Sequence, residues 1–158
     1  MFELKAVTPE IVSQFFLSDP KLVCLGLPDD EMTTLFQTGQ YPCEDTNIAG
    51  VYENDRLIAL HKFEYFTAHA INVHFYLNSE LHGTDKLGQI FYFMKNHLEQ
   101  NTNLMKVLFM VPSSCIHVQK AAEKFGLVKE GHITNVFVWR QEPCDIIIYG
   151  HDLERGEV

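Results

Sequence analysis

Cysteine is scarce in this chain, with four in 158 residues at Cys24, Cys43, Cys115 and Cys144. None forms a Cys-x-x-Cys pair, the local arrangement that pre-organises a tetrahedral zinc site, so the thiols read as reduced and mostly buried. Basic residues are also few: 12 Lys and Arg stand against 21 Asp and Glu, a formal net charge of −9. They are scattered rather than clustered, and a negative field repels phosphate backbones and anionic lipid. Neither nucleic acid nor membrane is therefore an expected partner, although a local basic pocket for one anionic cofactor is still allowed. No apolar run is long enough to cross a bilayer, and Met1 to Ala6 has no signal-peptide core. The expected location is cytoplasmic, or the protein is made in a cytosol and packaged later. Repeats, low-complexity tracts and linkers are missing too. What is present is apolar material, 46% hydrophobic and 12% aromatic, enough for one core in a chain of single-domain length. The reading is one domain over 1–152 with a polar tail at 153–158.

Apolar spacing then outlines the elements. Phe2 to Val7 alternates as a half-buried strand does, and Thr8-Pro9 opens a helix burying Ile11, Val12, Phe15 and Phe16. Asp19 to Pro28, with two prolines, reads as irregular, and a short helix carries Met32, Leu35 and Phe36 up to Gly39. Ile48–Tyr52 and Leu57–Phe66 flank an Asn54-Asp55 turn as a hairpin, and Ala70–Leu77 follows as a third meander strand. Asp85 caps a helix carrying Leu87, Ile90, Phe91, Met94 and Leu98. Leu104–Val111 fits a central strand reached by a right-handed parallel crossover. A last helix, opened by Pro112-Ser113-Ser114, buries Cys115, Val118, Ala122 and Phe125 and stops at Gly126. Ile133–Trp139 and Asp145–Tyr149 close the chain as a hairpin, and His151 onward reads as loose.

That order, together with Val111-Pro112-Ser113-Ser114 and Ala121-Ala122-Glu123-Lys124-Phe125-Gly126-Leu127-Val128-Lys129-Glu130-Gly131, resembles the GNAT (N-acetyltransferase-like) superfamily over about Phe2 to Asp152. The resemblance implies an α+β GNAT-like (acyl-CoA N-acyltransferase) fold, a mixed sheet of about seven strands with about four helices. It implies acetyl-CoA as cofactor, held after the last meander strand by Leu77, His82, Gly83, Thr84, Lys86 and Gly88. Glycines there let backbone N–H groups and a helix N-terminus approach a pyrophosphate. The family pattern is Gln or Arg, two residues, Gly, one residue, Gly or Ala. Here His82 stands at the basic position, and Asp85 and Leu87 occupy the two glycine positions. The family's Tyr on the last helix falls at Ala122, which has no proton to give, and its Asn at Cys115. The general base of relatives maps nearest to Glu64, with His74 behind it. The short chain, the Val73-His74 strand and this erosion are also similar to small GNAT-like proteins of tailed phages, some of them virion or head-assembly components.

Each candidate has a plainer reading beside the chemical one. His74 is either a base or a hydrogen-bonded residue on the polar side of the sheet, and Glu64 either a base or a solvated carboxylate. His82 and Lys86 meet phosphate or simply make the loop polar. Cys115 sits where a helix N-terminus lowers a thiol pKa, or is a small buried hydrophobe. His117, His132 and His151 lack metal-ligand spacing, and no metal is expected. Two functions follow: a non-catalytic GNAT-fold protein acting through its surface on a protein partner, or an acetyl-CoA-dependent N-acetyltransferase taking an amine between the strands near Leu77 and Met110.

Overall fold

Capping and apolar spacing decide where each element begins. In the computed structural model, which describes residues 1–42 and 47–154, the elements run β1 (Phe2–Ala6), α1 (Pro9–Leu17), α2 (Pro20–Gly26), α3 (Asp29–Thr38), β2 (Ile48–Glu53), β3 (Arg56–Thr67) and β4 (Ala70–Leu77). A 3₁₀ turn (Ser79–Leu81) follows, then α4 (Lys86–Asn101), β5 (Lys106–Pro112), α5 (Ile116–Lys124), β6 (Val128–Trp139) and β7 (Glu142–Asp152). Strand order is β1-β2-β3-β4-β5-β7-β6. The β4–β5 pair is parallel over Ala70↔Lys106 to Asn72↔Leu108, and β5–β7 and β6–β7 are antiparallel. This is the mixed seven-stranded α+β sheet expected, with five helices among the described residues rather than four.

The extra helix is α2, placed where two prolines suggested irregular chain. Asp19 accepts the Leu22 N–H at 3.1 Å as N-cap, and Pro20 sits at the first helical position, where its missing N–H is harmless. Burial of Leu22 and Val23 then holds the short helix in place. The Asn54-Asp55 turn is as expected, with both residues left-handed (φ 51° and 64°). Gly126 ends the last helix with φ 79°, a conformation open to glycine at no steric cost. Val118, expected on that helix's buried face, is exposed, and β7 runs on through His151 and Asp152. Leu153 is buried, its N–H donating to Met105 O. Cys43 and the tail residues 155–158 lie outside the described residues.

The chain forms two compact units. The first comprises Met1–Lys62 and Phe75–Leu87, and its core gathers Val12, Phe16, Val23, Leu27, Leu35, Leu60 and Tyr76. Phe16 packs its ring on Tyr41 (4.9 Å) and edge-on to Tyr76 (5.1 Å). The second comprises Phe63–His74 and Gly88 onward, where Ile71, Val73, Ile90, Met94, Val107 and Ile147 are buried and Phe91 stacks on Phe125 at 5.6 Å.

Gly50 in β2 is a tight point, since a Cβ there would lie 2.8 Å from both Leu57 Cδ1 and Val7 Cγ1. Gly50→Ala is expected to lower stability by roughly 1–3 kcal/mol through overpacking. Gly150→Ala should cost less, because the nearest atoms to the added Cβ are the far end of the Glu130 side chain, which can swing aside at the expense of its ion pair with Lys106. Urea midpoints of the two variants check the order.

Candidate functional site

Two neighbourhoods hold the residues singled out from the sequence, one in each unit. In the second unit, Glu64 lies on β3, and Asn72 and His74 lie two apart on β4, so both β4 side chains emerge on one face of the sheet. The structure brings the two base candidates together: Glu64 Oε2 and His74 Nε2 are 2.9 Å apart. Asn72 Nδ2 donates to the same carboxylate oxygen at 3.1 Å and lies 3.0 Å from His74 Nε2. Asn72 is buried, while the Glu64 and His74 side chains are about half-exposed. The sequence reading missed Asn72. A polar residue inside the apolar run Ala70–Leu77, at the spacing that shares a face with His74, was the available signal.

In the first unit the chain leaves β4 at Leu77 through a loop tied down by Asp19. Its carboxylate accepts the Ser79 N–H at 2.6 Å and the Ser79 hydroxyl at 2.7 Å, besides capping α2. Burial pushes this carboxyl's pKa up. The hydrogen bonds from Ser79 and Leu22 and the nearby His82 outweigh it, and the net direction is below the ordinary value. His82 Nε2–H donates to Leu77 O at 2.9 Å. Gly83 is left-handed, the Thr84 hydroxyl donates to Leu81 O, and the Lys86 N–H is met by Thr84 Oγ1 at 3.2 Å. Lys86 Nζ pairs with Glu53 at 2.6 Å and lies 5.4 Å from the centre of the Phe2 ring. Asp85 is exposed just before the helix.

The loop thus fits a pyrophosphate poorly. Its two basic side chains, His82 and Lys86, are engaged within the protein, and an exposed carboxylate stands at the helix start, where the positive end of the dipole would otherwise attract an anion. Gly88, in the second unit, has another use. A Cβ there would meet the Phe125 ring at 3.1 Å, so its small size serves helix packing.

The remaining candidates separate cleanly. Ala122 is buried, and burial raises the Cys115 thiol pKa, so Cys115 is a buried apolar group and not an activated thiolate. Tyr149 is buried with its hydroxyl donating to Glu123 at 3.2 Å. His132 pairs with Asp145 at 2.6 Å, and the other Asp145 oxygen accepts the Asn135 N–H, pinning an irregularity in β6. Among the described residues no three His, Cys, Asp or Glu side chains converge as a metal site, and no helix is long and apolar enough to cross a membrane.

Residues 33–157 match the family described as "Protein of unknown function (DUF2824)". The chain belongs to this family. No curated protein matches its sequence. Among solved structures it is similar to an acetyl transferase from Salmonella typhimurium that modifies the N-terminal serine of a 50S ribosomal subunit protein. Identity is 13%, with 97% of this chain and 95% of that one covered and a TM-score of 0.74. It is also similar to the ribosomal alpha-N-protein acetyltransferase RimL in complex with coenzyme A (12%, 96% and 94%, TM-score 0.71). An N-acetyltransferase from Staphylococcus aureus is 15% identical, covering 98% and 99%, with a TM-score of 0.66. This member of the DUF2824 family therefore has the GNAT fold. At such identities the likeness extends to the fold alone.

Proposed function

We propose that this chain is a GNAT-fold protein whose acetyl-CoA and catalytic motifs have eroded, and that it acts on a protein partner as a non-catalytic structural or interaction component. A role of the kind served by virion or head-assembly proteins of tailed phages suits it. The observation that carries this reading is the state of the loop after β4, where His82 is bonded to the Leu77 carbonyl and Lys86 to Glu53. Ala122 in place of a proton donor supports it. A surface for a partner is available on β6, last in the strand order, where Val128, Ile133, Val136 and Val138 are exposed.

The test is thermal unfolding with acetyl-CoA. A ligand that binds only the folded state must raise the midpoint, so no shift is expected at about 1 mM cofactor. A saturable rise would overturn the reading.

A second reading, an acetyl-CoA-dependent N-acetyltransferase acting on an amine, is favoured by one observation, the contact of Glu64 with His74. Under it, this pair takes the amine proton. Release of free thiol from acetyl-CoA in the presence of an amine, lost in Glu64→Gln, would establish it.

A further inference from the structure

Glu64 Oε2, His74 Nε2 and Asn72 Nδ2 form a closed triangle with edges of 2.9, 3.0 and 3.1 Å. A hydrogen bond needs a donor at one end and an acceptor at the other. Around a ring of three atoms, each of them only one or the other, at least one edge joins like with like. Only a neutral Glu64 carboxyl, whose O–H donates to His74 Nε2 while its oxygen accepts from Asn72, escapes this. With Glu64 ionised and His74 Nε2 protonated, the Asn72 nitrogen faces a second donor. With the imidazole in its other tautomer, the Nε2 lone pair faces the carboxylate. With the amide turned over, two oxygens face each other. Asn72 is only 4% exposed and its Oδ1 has no hydrogen-bond partner. Turning the amide therefore exchanges one unpaired buried end for the other.

A cation resolves all three edges at once, because the turned amide oxygen, the carboxylate oxygen and the unprotonated imidazole nitrogen are all acceptors. The size of the triangle selects the cation. Atoms about 3 Å apart that subtend right angles at a shared ion, as one face of an octahedron does, lie about 2.1 Å from it, close to the ligand distances of small six-coordinate divalent ions. An ammonium group needs acceptors at about 2.8 Å spread over tetrahedral angles, and this triangle is too tight for that. Calcium prefers oxygen ligands at about 2.3–2.6 Å and has little use for imidazole.

We propose that Glu64 Oε2, His74 Nε2 and Asn72 Oδ1 form one face of a binding site for a divalent transition-metal ion. The half-exposed Glu64 and His74 leave it open to solvent, so that water completes the coordination. The mixed imidazole, carboxylate and amide set suits Zn²⁺, Co²⁺ or Ni²⁺ better than Mg²⁺. The inference stands whether or not the chain transfers an acetyl group.

The test is titration of the purified full chain with Co²⁺, read by visible absorption and by cobalt-induced shifts of the His74 ring protons in NMR. Saturable binding of one ion per chain that moves the His74 signals is expected. His74→Ala and Glu64→Gln should each weaken it roughly tenfold or more. Asn72→Asp separates a metal site from a hydrogen-bonded cluster. Without metal, a second carboxylate beside Glu64 lowers the melting temperature. With Co²⁺ or Zn²⁺ present, affinity should exceed that of the unmodified chain, and the melting temperature should recover. Failure to saturate at about 1 mM Co²⁺ would overturn the site. Undiminished affinity in both His74→Ala and Glu64→Gln, or no gain in Asn72→Asp, would do the same. None of these outcomes bears on the acetyl-CoA titration, so the two proposals fail separately.

Discussion

Asp19→Ala is expected to lower the stability of the folded chain by roughly 3–5 kcal/mol, because three donors lose one shared, buried acceptor. The carboxylate caps α2 through the Leu22 N–H and holds the chain after β4 through the Ser79 N–H and hydroxyl. Residues 60 positions apart in sequence are joined by this one side chain. Loss of the cap accounts for about 1 kcal/mol, and stranding the Ser79 N–H and hydroxyl for most of the rest. Asp19→Asn keeps an acceptor and should lose less than half as much. Ser79→Ala removes only the hydroxyl contact and should fall lower still. Urea unfolding at neutral pH orders the three, and an Asp19→Ala loss under about 1 kcal/mol would refute the account. The acid behaviour follows from the direction of the pKa. It lies below the ordinary 3.8 in the folded chain, so the stabilisation is complete well above that value. It disappears as the pH falls through the folded value.

A second large effect is expected at higher pH, from His61. Its side chain is fully buried on β3, with the Phe75 ring edge-on at 4.4 Å. Burial pushes its pKa down from 6.5 to about 3, since a charged ring in that place would lose its hydration. The folded chain therefore refuses a proton that the unfolded chain accepts between those values. Stability should fall by about 1.4 kcal/mol per pH unit as acid is added below about 6.5, reaching on the order of 4 kcal/mol near the lower end. His61→Leu removes the titrating group while keeping the volume roughly constant. It should leave stability at pH about 7.5 within roughly 1 kcal/mol of the unmodified chain. It should also flatten the slope between pH about 6 and 4, a window above that of Asp19. Parallel pH profiles for the two proteins would show that His61 is not the cause.

These residues show where a sequence reading stops. The architecture was legible because its signals are local. Alternation in Phe2 to Val7, helical spacing from Leu87 to Leu98, the Asn54-Asp55 turn and Gly126 each need only a few neighbouring residues to be read, and they fall in the order of the GNAT fold. Asp19 to Pro28 reads as irregular because its two prolines suggest a break, whereas Pro20 at the first helical position after a capping Asp starts a helix. The candidate residues were legible as types. Their relations were not.

The sequence alone determined the elements, the strand-rich middle and the acidic balance of charge, since all of these follow from residue identity and spacing along the chain. Only the tertiary structure decided what the polar side chains do. Glu64 and His74 lie ten residues apart on different strands, and pairing of side chains across a sheet depends on register and face. Lys86 reaches Glu53 and Asp19 reaches Ser79 for the same reason: hydrogen bonds and ion pairs act over about 3 Å in space, whatever the separation along the chain.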